Sequence, residues 1–216
     1  MENSKILLDH AIYALSSTSI ASNQWSIGGG TVLANYFNHR ISKDIDVFIN
    51  DAQCLTELSP RVNDECDNAL DYDEMSNFIS LTYLEGKVDF IVAPQITIFS
   101  PQMHNFFGRD VMLDDAVEIV AKKLYFRSDH ILPRDLFDLA IVYSSDRHDD
   151  LVAFALTIPE KIKMFINNFE RDKEILSFKA YSIVSWDAIL NGGRDFVGKE
   201  IDICQRFIDE LKSKIK

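Results

Sequence analysis

Three consecutive glycines between a short apolar segment and a helix-forming segment restrict the fold of this chain more than any other feature. Trp25-Ser26-Ile27 predicts a strand, Gly28-Gly29-Gly30 predicts a turn, and residues 31–37 predict a helix by their apolar spacing. Glycines before a helix let backbone N–H groups and the positive helix end approach phosphate oxygens closely. The pattern therefore predicts a phosphate site, with Thr31 as a further hydroxyl donor or as the helix cap.

Two aspartates on the next apolar segment predict a metal site. In a strand over 44–49, side chains alternate between faces, so Asp44 and Asp46 project together while the apolar residues face the core. Adjacent carboxylates repel unless a cation neutralises them, and Mg²⁺ prefers a few carboxylates completed by substrate phosphates. Asp89, on an apolar strand at 87–92, would complete a two-metal site for in-line displacement. The expected cofactor is Mg²⁺ or Mn²⁺; a strand-end surface pair and an edge-strand salt bridge are the alternatives.

The apolar spacing elsewhere predicts both strands and helices. Residues 5–15 have helical spacing, and 78–84 with 87–92 read as a hairpin. From Leu113 onward every apolar pattern is helical. We therefore expect an α/β (α+β) fold, in which a mixed sheet with flanking helices is followed by a helical C-terminal domain.

The change of texture also predicts the domain organisation. We expect a core domain over 1–110 and a helical domain over 111–216, with 100–108 as the junction. The acidic residues between 64 and 74 are expected on a solvated helix or loop. From about residue 150 onward no motif suggests a function.

Composition narrows the functional classes. The net charge of −12 argues against broad, non-specific binding of nucleic acid, so any such contact must be local. No apolar run approaches the roughly 18 residues of a membrane helix, and we expect a cytoplasmic protein. The three cysteines are far apart and lack the spacing of a zinc site or a disulfide framework.

Taken together, these residues resemble a known superfamily. Gly29-Gly30, Asp44-Ile45-Asp46 and the later Asp89 are similar to the signature of polymerase-β-type nucleotidyltransferases. Within it, the string from Gly29-Gly30-Thr31 to His39-Arg40-Ile41-Ser42-Lys43-Asp44 looks like the AbiEii-type toxins of type IV toxin–antitoxin and phage-abortive systems. Lys123 and Arg127, followed by Arg134-Asp135-Leu136-Phe137-Asp138, are similar to a later segment of that family. The resemblance covers about residues 25–143.

The resemblance implies a Mg²⁺-dependent enzyme that transfers a nucleotide from an NTP to an acceptor, which in relatives includes the 3′ end of tRNA, and that has a cognate antitoxin. It implies that Lys123 contacts the triphosphate and that Asp138 orients Lys123 or Arg127. The predicted catalytic residues are Asp44, Asp46, Asp89 and Lys123, of which the three aspartates are also the predicted metal ligands. The predicted nucleotide-binding residues are Gly29, Gly30, Thr31, Arg40, Ser42, Lys123, Arg127, Arg134 and Asp138.

Several alternatives stay open at this point. Lys123 and Arg127 lie four residues apart on one helix face, so both would point at one anion, from which the adjacent Lys122 would diverge. The alternatives are that Lys122, Lys123 and Arg127 form the solvated face of an amphipathic helix and that Arg134 with Asp138 is a structural ion pair. His39 is expected to be a loop residue near the site rather than a ligand. Gly28 is an extra glycine relative to the family pattern. At the level of function, the alternatives are a catalytically silent nucleotide-binding or antitoxin-like protein, and a nucleotidyltransferase acting on a small molecule.

Overall fold

A computed structural model describes residues 2–183 and 189–214. Its helices are α1 (Glu2–Ser16), α2 (Gly29–Phe37), α3 (Ala116–Phe126), α4 (Pro133–Tyr143), α5 (His148–Ala155), α6 (Pro159–Ile183) and α7 (Glu200–Lys214). Its strands are β1 (Trp25–Gly28), β2 (Ile45–Ile49), β3 (Asp71–Met75), β4 (Phe78–Tyr83), β5 (Gly86–Val92), β6 (Gln102–Phe106) and β7 (Arg109–Leu113). Short 3₁₀ helices occur at Ala52–Leu58, Asp64–Cys66 and Asn191–Phe196.

Internal contacts divide the chain into two compact units. The first, here called the sheet unit, comprises Met1–Val32 and Ser42–Asp115. The second, the helical unit, comprises Leu33–Ile41 and Ala116–Lys216. That residues 1–110 and 111–216 form separate domains stays a prediction.

The sheet unit is built on one mixed sheet with the strand order β3-β4-β5-β2-β1-β7-β6. The central strand β2 runs parallel to β5 and antiparallel to β1, and β1 runs parallel to β7. Ile45, Val47 and Ile49 of β2 are fully buried, whereas the residues between them are half-buried. Helix α1 contacts β2 and β5, which gives the apolar side of these strands a cover.

The helical unit is organised around α4, which contacts α3, α5, α6 and α7. Most of the α4 side chains are buried, so this helix is surrounded rather than amphipathic. Phe165 and Phe207 are fully buried, and their rings meet edge to face at 6.4 Å between centroids. Within the described parts of the chain, no helix is both long and apolar enough to cross a membrane.

The predicted fold class, a mixed α/β sheet followed by helices, is confirmed. Residues 102–106, which lie in the expected junction, form strand β6 and turn through Phe107 and Gly108 into β7, and the junction stays a prediction. One local expectation was wrong. The acidic segment Asp71–Met75 is strand β3 rather than a helix or loop. Strands β3 and β6 are the sheet edges and are largely exposed, so neither carries the apolar alternation that reveals a half-buried strand.

Candidate active site

The glycine turn at the end of β1 has two separate steric requirements. Gly29 has a φ of +69°, and a Cβ there would overlap the Asp46 carboxylate. A Cβ on Gly28 would lie 2.6 Å from the Phe48 ring and 2.8 Å from Asp114 Oδ2. The extra glycine therefore has a local reason. Gly30 is buried in the first turn of α2.

Two of the predicted aspartates are neighbours on the sheet. Asp46 on β2 and Asp89 on β5 are register partners in a parallel pair, so their side chains lie on the same face. That face is opposite the fully buried apolar residues of β2, and both aspartates are half-buried. On the next strand, Ser80 Oγ donates a 2.5 Å hydrogen bond to Asp89 Oδ1. Beside Asp46 on the other side lies Gly28. The structure thus places two carboxylates next to the glycine turn.

The third aspartate is held differently. Asp44 Oδ1 accepts a hydrogen bond from the Lys87 backbone N–H at 3.1 Å, and the Asp44 carbonyl accepts one from Thr31 Oγ1 at 2.5 Å. Asp44 therefore links the start of β2 to β5 and α2, and the Thr31 hydroxyl is donated to this carbonyl. Ser42 is half-buried in the preceding loop. Among residues 2–183 and 189–214, no three His, Cys, Asp or Glu side chains stand in an arrangement that could hold a metal ion.

A fourth aspartate of the sheet unit was not singled out from the sequence. Asp114 is buried, its Oδ1 accepts a 2.5 Å hydrogen bond from Ser26 Oγ, and its N–H donates to the Ile27 carbonyl at 2.8 Å. These bonds fix the end of β1 directly before the glycine turn. An aspartate two residues before a helix is ordinary helix-start chemistry, so the sequence carried no signal that set it apart.

In the helical unit, the fully buried Asp138 collects side-chain donors from three residues. Its Oδ1 accepts from His39 Nε2 at 2.7 Å and from Arg40 Nε at 2.8 Å. Its Oδ2 accepts from Arg40 Nη2 and Lys123 Nζ, both at 2.8 Å. Burial by itself would raise the pKa of this carboxyl, but Lys123, Arg40 and the hydrogen bonds hold the pKa well below its ordinary range. Asp138 is therefore a carboxylate.

Lys123 and Arg127 converge on one anion, as their spacing predicts, and that anion is Asp135. Lys123 Nζ lies 2.6 Å and Arg127 Nη1 lies 3.2 Å from Asp135 Oδ1. Burial would raise the Asp135 pKa, but the charges of Lys123 and Arg127 lower it. Asp135 Oδ2 also accepts from the Leu132 N–H at 3.2 Å, which ties it to the start of α4.

The remaining predicted residues are placed as follows. Arg40 is buried and its guanidinium faces Asp138, although the sequence suggested a phosphate contact for it. Arg134 is exposed, while Asp138 on the next turn is fully buried. Lys122, expected to diverge from Lys123, is buried and pairs with Glu118 at 3.4 Å. His39 was expected to be a loop residue, and its bond to Asp138 was missed because it depends on tertiary packing.

One comparison with known proteins identifies a family. Residues 10–192 match the family described as nucleotidyl transferase AbiEii toxin, type IV TA system. Similar solved structures include MenT4, a nucleotidyltransferase toxin of Mycobacterium tuberculosis H37Rv, at 15% identity and a TM-score of 0.49, with 97% of this chain and 90% of that chain covered. JHP933 from Helicobacter pylori has 16% identity and a TM-score of 0.49, with 98% and 93% covered. No curated protein sequence matches the chain.

Proposed function

This chain belongs to the AbiEii nucleotidyltransferase toxin family, and from that premise we propose that it is the toxin of a type IV toxin–antitoxin pair and transfers a nucleotide from an NTP to an acceptor in a Mg²⁺-dependent reaction. Its class as a nucleotidyltransferase follows from the family. The observation that carries the rest is the pairing of Asp46 with Asp89 beside Gly29.

The paired carboxylates fit a divalent cation. Side by side on one face, Asp46 and Asp89 repel each other, and a cation between their oxygens would offset this repulsion. Mg²⁺ is commonly held by one or two protein carboxylates, with substrate phosphates and water as its other ligands. Asp44 would contribute its Oδ2, since its Oδ1 already accepts from Lys87. When bound, the metal would supply charge neutralisation at the transferred phosphate and activation of the attacking hydroxyl.

The glycine turn would receive the phosphates. Gly29 and Gly30 begin α2 without side chains, so no Cβ would keep an anion away from the first backbone N–H groups of this nine-residue helix. Asp46 lies directly against Gly29, which would bring a phosphate bound at the turn near a metal held by Asp46. This part of the proposal requires no movement of Thr31, whose hydroxyl is donated to Asp44.

Lys123 and Arg127, both within the helical unit, would bind the triphosphate. The cluster there brings the cations Arg40, Lys123 and Arg127 onto the two carboxylates Asp135 and Asp138. Arg127 is its most exposed cation, with 36% of the side chain accessible. A phosphate would replace Asp135 as the partner of Arg127 and share Lys123 with the carboxylates.

The acceptor and the biological setting are part of the proposal, and the family membership supports them. We propose the 3′ end of tRNA as the acceptor, a cognate antitoxin as the protein partner, and the cytoplasm, where NTPs and tRNA are available, as the place of action. A net charge of −12 opposes broad attraction of RNA, so the acceptor would be recognised through local contacts. Exposed Arg134 is a candidate for such a contact.

The test is nucleotide labelling with matched carboxylate variants. Each labelled NTP is incubated with total tRNA and with Mg²⁺, Mn²⁺ or EDTA, for the wild type, Asp46→Asn and Asp67→Asn. The last change is the same chemistry at an exposed position of the sheet unit. We expect labelled tRNA from the wild type and Asp67→Asn only, and only with metal. Equal labelling by Asp46→Asn, or labelling in EDTA, would refute the metal site. Labelling of small molecules but not tRNA would refute the acceptor.

A further inference from the structure

A short segment near the end of the family match pairs with the backbone that carries His39 and Arg40. Ile189 forms an antiparallel bridge with Arg40, and the Leu190 N–H donates to the His39 carbonyl at 3.0 Å. The Gly192 N–H donates to the Asn38 carbonyl at 2.9 Å. Residues 38–40 are thus fixed by a ladder of backbone hydrogen bonds rather than by their side chains alone.

Two glycines make this approach possible. A Cβ on Gly192 would overlap the Phe37 carbonyl oxygen, and a Cβ on Gly193 would overlap the His39 carbonyl oxygen. Neither glycine has a left-handed φ, so what the fold requires here is space and not glycine's conformational freedom. In the segment that pairs with these glycines, Asn38 has a φ of +49°, a conformation that a non-glycine residue adopts only when its surroundings hold it there.

The backbone hydrogen bonds of this ladder fix the segment whose side chains contact Asp138. Arg40 gives one bond to each oxygen of Asp138, and Oδ2 is shared between Arg40 and Lys123. His39 donates to Oδ1 and stacks its ring on Phe137 at 5.8 Å between centroids. If residues 38–40 shifted, the buried carboxylate would lose these partners, and its charge would draw Lys123 more strongly. Lys123 would then be less available to a phosphate.

We propose that the Gly192–Gly193 turn is a positioning element of the nucleotide site: by fixing the backbone of residues 37–40 it keeps His39 and Arg40 on Asp138, and so leaves Lys123 free to exchange a carboxylate for a nucleotide phosphate. The inference rests on the proposed function in one respect, the role of Lys123 in binding the triphosphate. It gives the C-terminal part of the chain, which has no motif of its own, a defined task.

The test is a double-mutant cycle between Gly193→Ala and Arg40→Ala, read out in two independent ways. The first is the midpoint of urea unfolding, which needs no activity. The second is the labelling reaction, with KM for the NTP and kcat determined separately. Gly193→Ala should raise KM on the order of tenfold, the loss associated with one hydrogen bond to a charged group, with a smaller change in kcat. In the Arg40→Ala background it should have little further effect on either readout.

Matched variants separate positioning from general damage. Asn191→Ala changes an exposed side chain in the same turn and should leave the midpoint and KM unchanged. If Gly193→Ala does not fold, the test moves to His39: His39→Leu should raise KM, and His39→Gln, whose amide N–H reaches the place of Nε2, should restore much of the affinity.

The outcomes divide clearly. Additive effects of Gly193→Ala and Arg40→Ala on both midpoint and KM would overturn the inference even if labelling by the wild type is normal. So would equal KM values for His39→Leu and the wild type. If the two substitutions have coupled effects on the urea midpoint but the wild type labels nothing, the positioning of Asp138 is supported and the proposed function is refuted. Coupled effects on both the midpoint and KM support the positioning role and the proposed function together.

Discussion

Removal of the Asp138 carboxylate tests the charge network of the helical unit most directly. In Asp138→Ala, the buried guanidinium of Arg40 loses both of its bonds to the carboxylate, and His39 Nε2 loses its acceptor. Lys123 keeps Asp135 at 2.6 Å. Breaking a buried ion pair from one side typically costs about 3–5 kcal/mol because it leaves an uncompensated charge. We expect a loss of unfolding free energy in that range.

The loss of unfolding free energy in Asp138→Ala can be compared with the loss in a variant of the neighbouring Asp135. Asp135→Ala also removes a buried carboxylate, but Lys123 keeps Asp138 and the partly exposed Arg127 can turn to water. Its cost should be about 1–3 kcal/mol, the penalty of lost hydrogen bonds. Asp129→Ala, which breaks an exposed pair with His130, should change nothing measurable.

The assay is urea unfolding followed by circular dichroism at neutral pH, with the slope of each transition checked against the wild type. The prediction is an order: Asp138→Ala loses most, Asp135→Ala less, Asp129→Ala least. If Asp138→Ala were as stable as Asp135→Ala, the hold of Arg40 and His39 on Asp138 would contribute little. The reasoning on that network would then be wrong.

Three further predictions follow from the same structure. The folded pKa of Asp138 lies below its ordinary value near 3.8, so its contribution to the stability of the folded state should be complete above pH 3.8 and decline as the pH falls further. The urea midpoint of Asp138→Asn should therefore vary less with pH over this acidic range. Gly29→Ala should lose about 1–2 kcal/mol to its left-handed φ and lose labelling activity beyond what a thermal melt explains, because its Cβ would displace the Asp46 carboxylate, the proposed metal ligand. With a thiol reagent, the half-buried Cys54 should react first. The buried thiols of Cys66 and Cys204 should react only on unfolding, because burial raises the pKa of both, that of Cys66 to about 11. Simultaneous reaction of all three cysteines would contradict this prediction.

How much of this the sequence could predict depended on where each element lies. Strand β2 was predictable because its residues are β-branched or aromatic apart from Asp46, and because Ile45, Val47 and Ile49 share one buried face. The edge strand β3 was not, since both its faces are largely exposed. The three helices α3, α4 and α5 follow from their apolar spacing, because each buries a broad face.

The site shows the same limit at the level of side chains. Spacing on one helix predicted that Lys123 and Arg127 converge, because residues four apart share a face. It did not predict that they converge on Asp135, nor that Asp138 binds His39 across about a hundred residues of chain. Partner choice between distant segments depends on packing that local pattern does not encode. Gly193 shows this most clearly, because a glycine is required there only to leave room for the His39 carbonyl oxygen.

Burial explains why the cations of the helical unit are paired with carboxylates of the protein. Lys123 and Arg40 are largely buried, and a buried charge without a counter-ion is costly, so Asp135 and Asp138 stabilise the folded unit. Arg127 is more exposed than Arg40 and Lys123, so it is the member of this cluster nearest the surface. In the proposed binding mode, a phosphate would replace Asp135 as the partner of Arg127 and share Lys123 with the carboxylates, so the buried cations would keep a counter-ion.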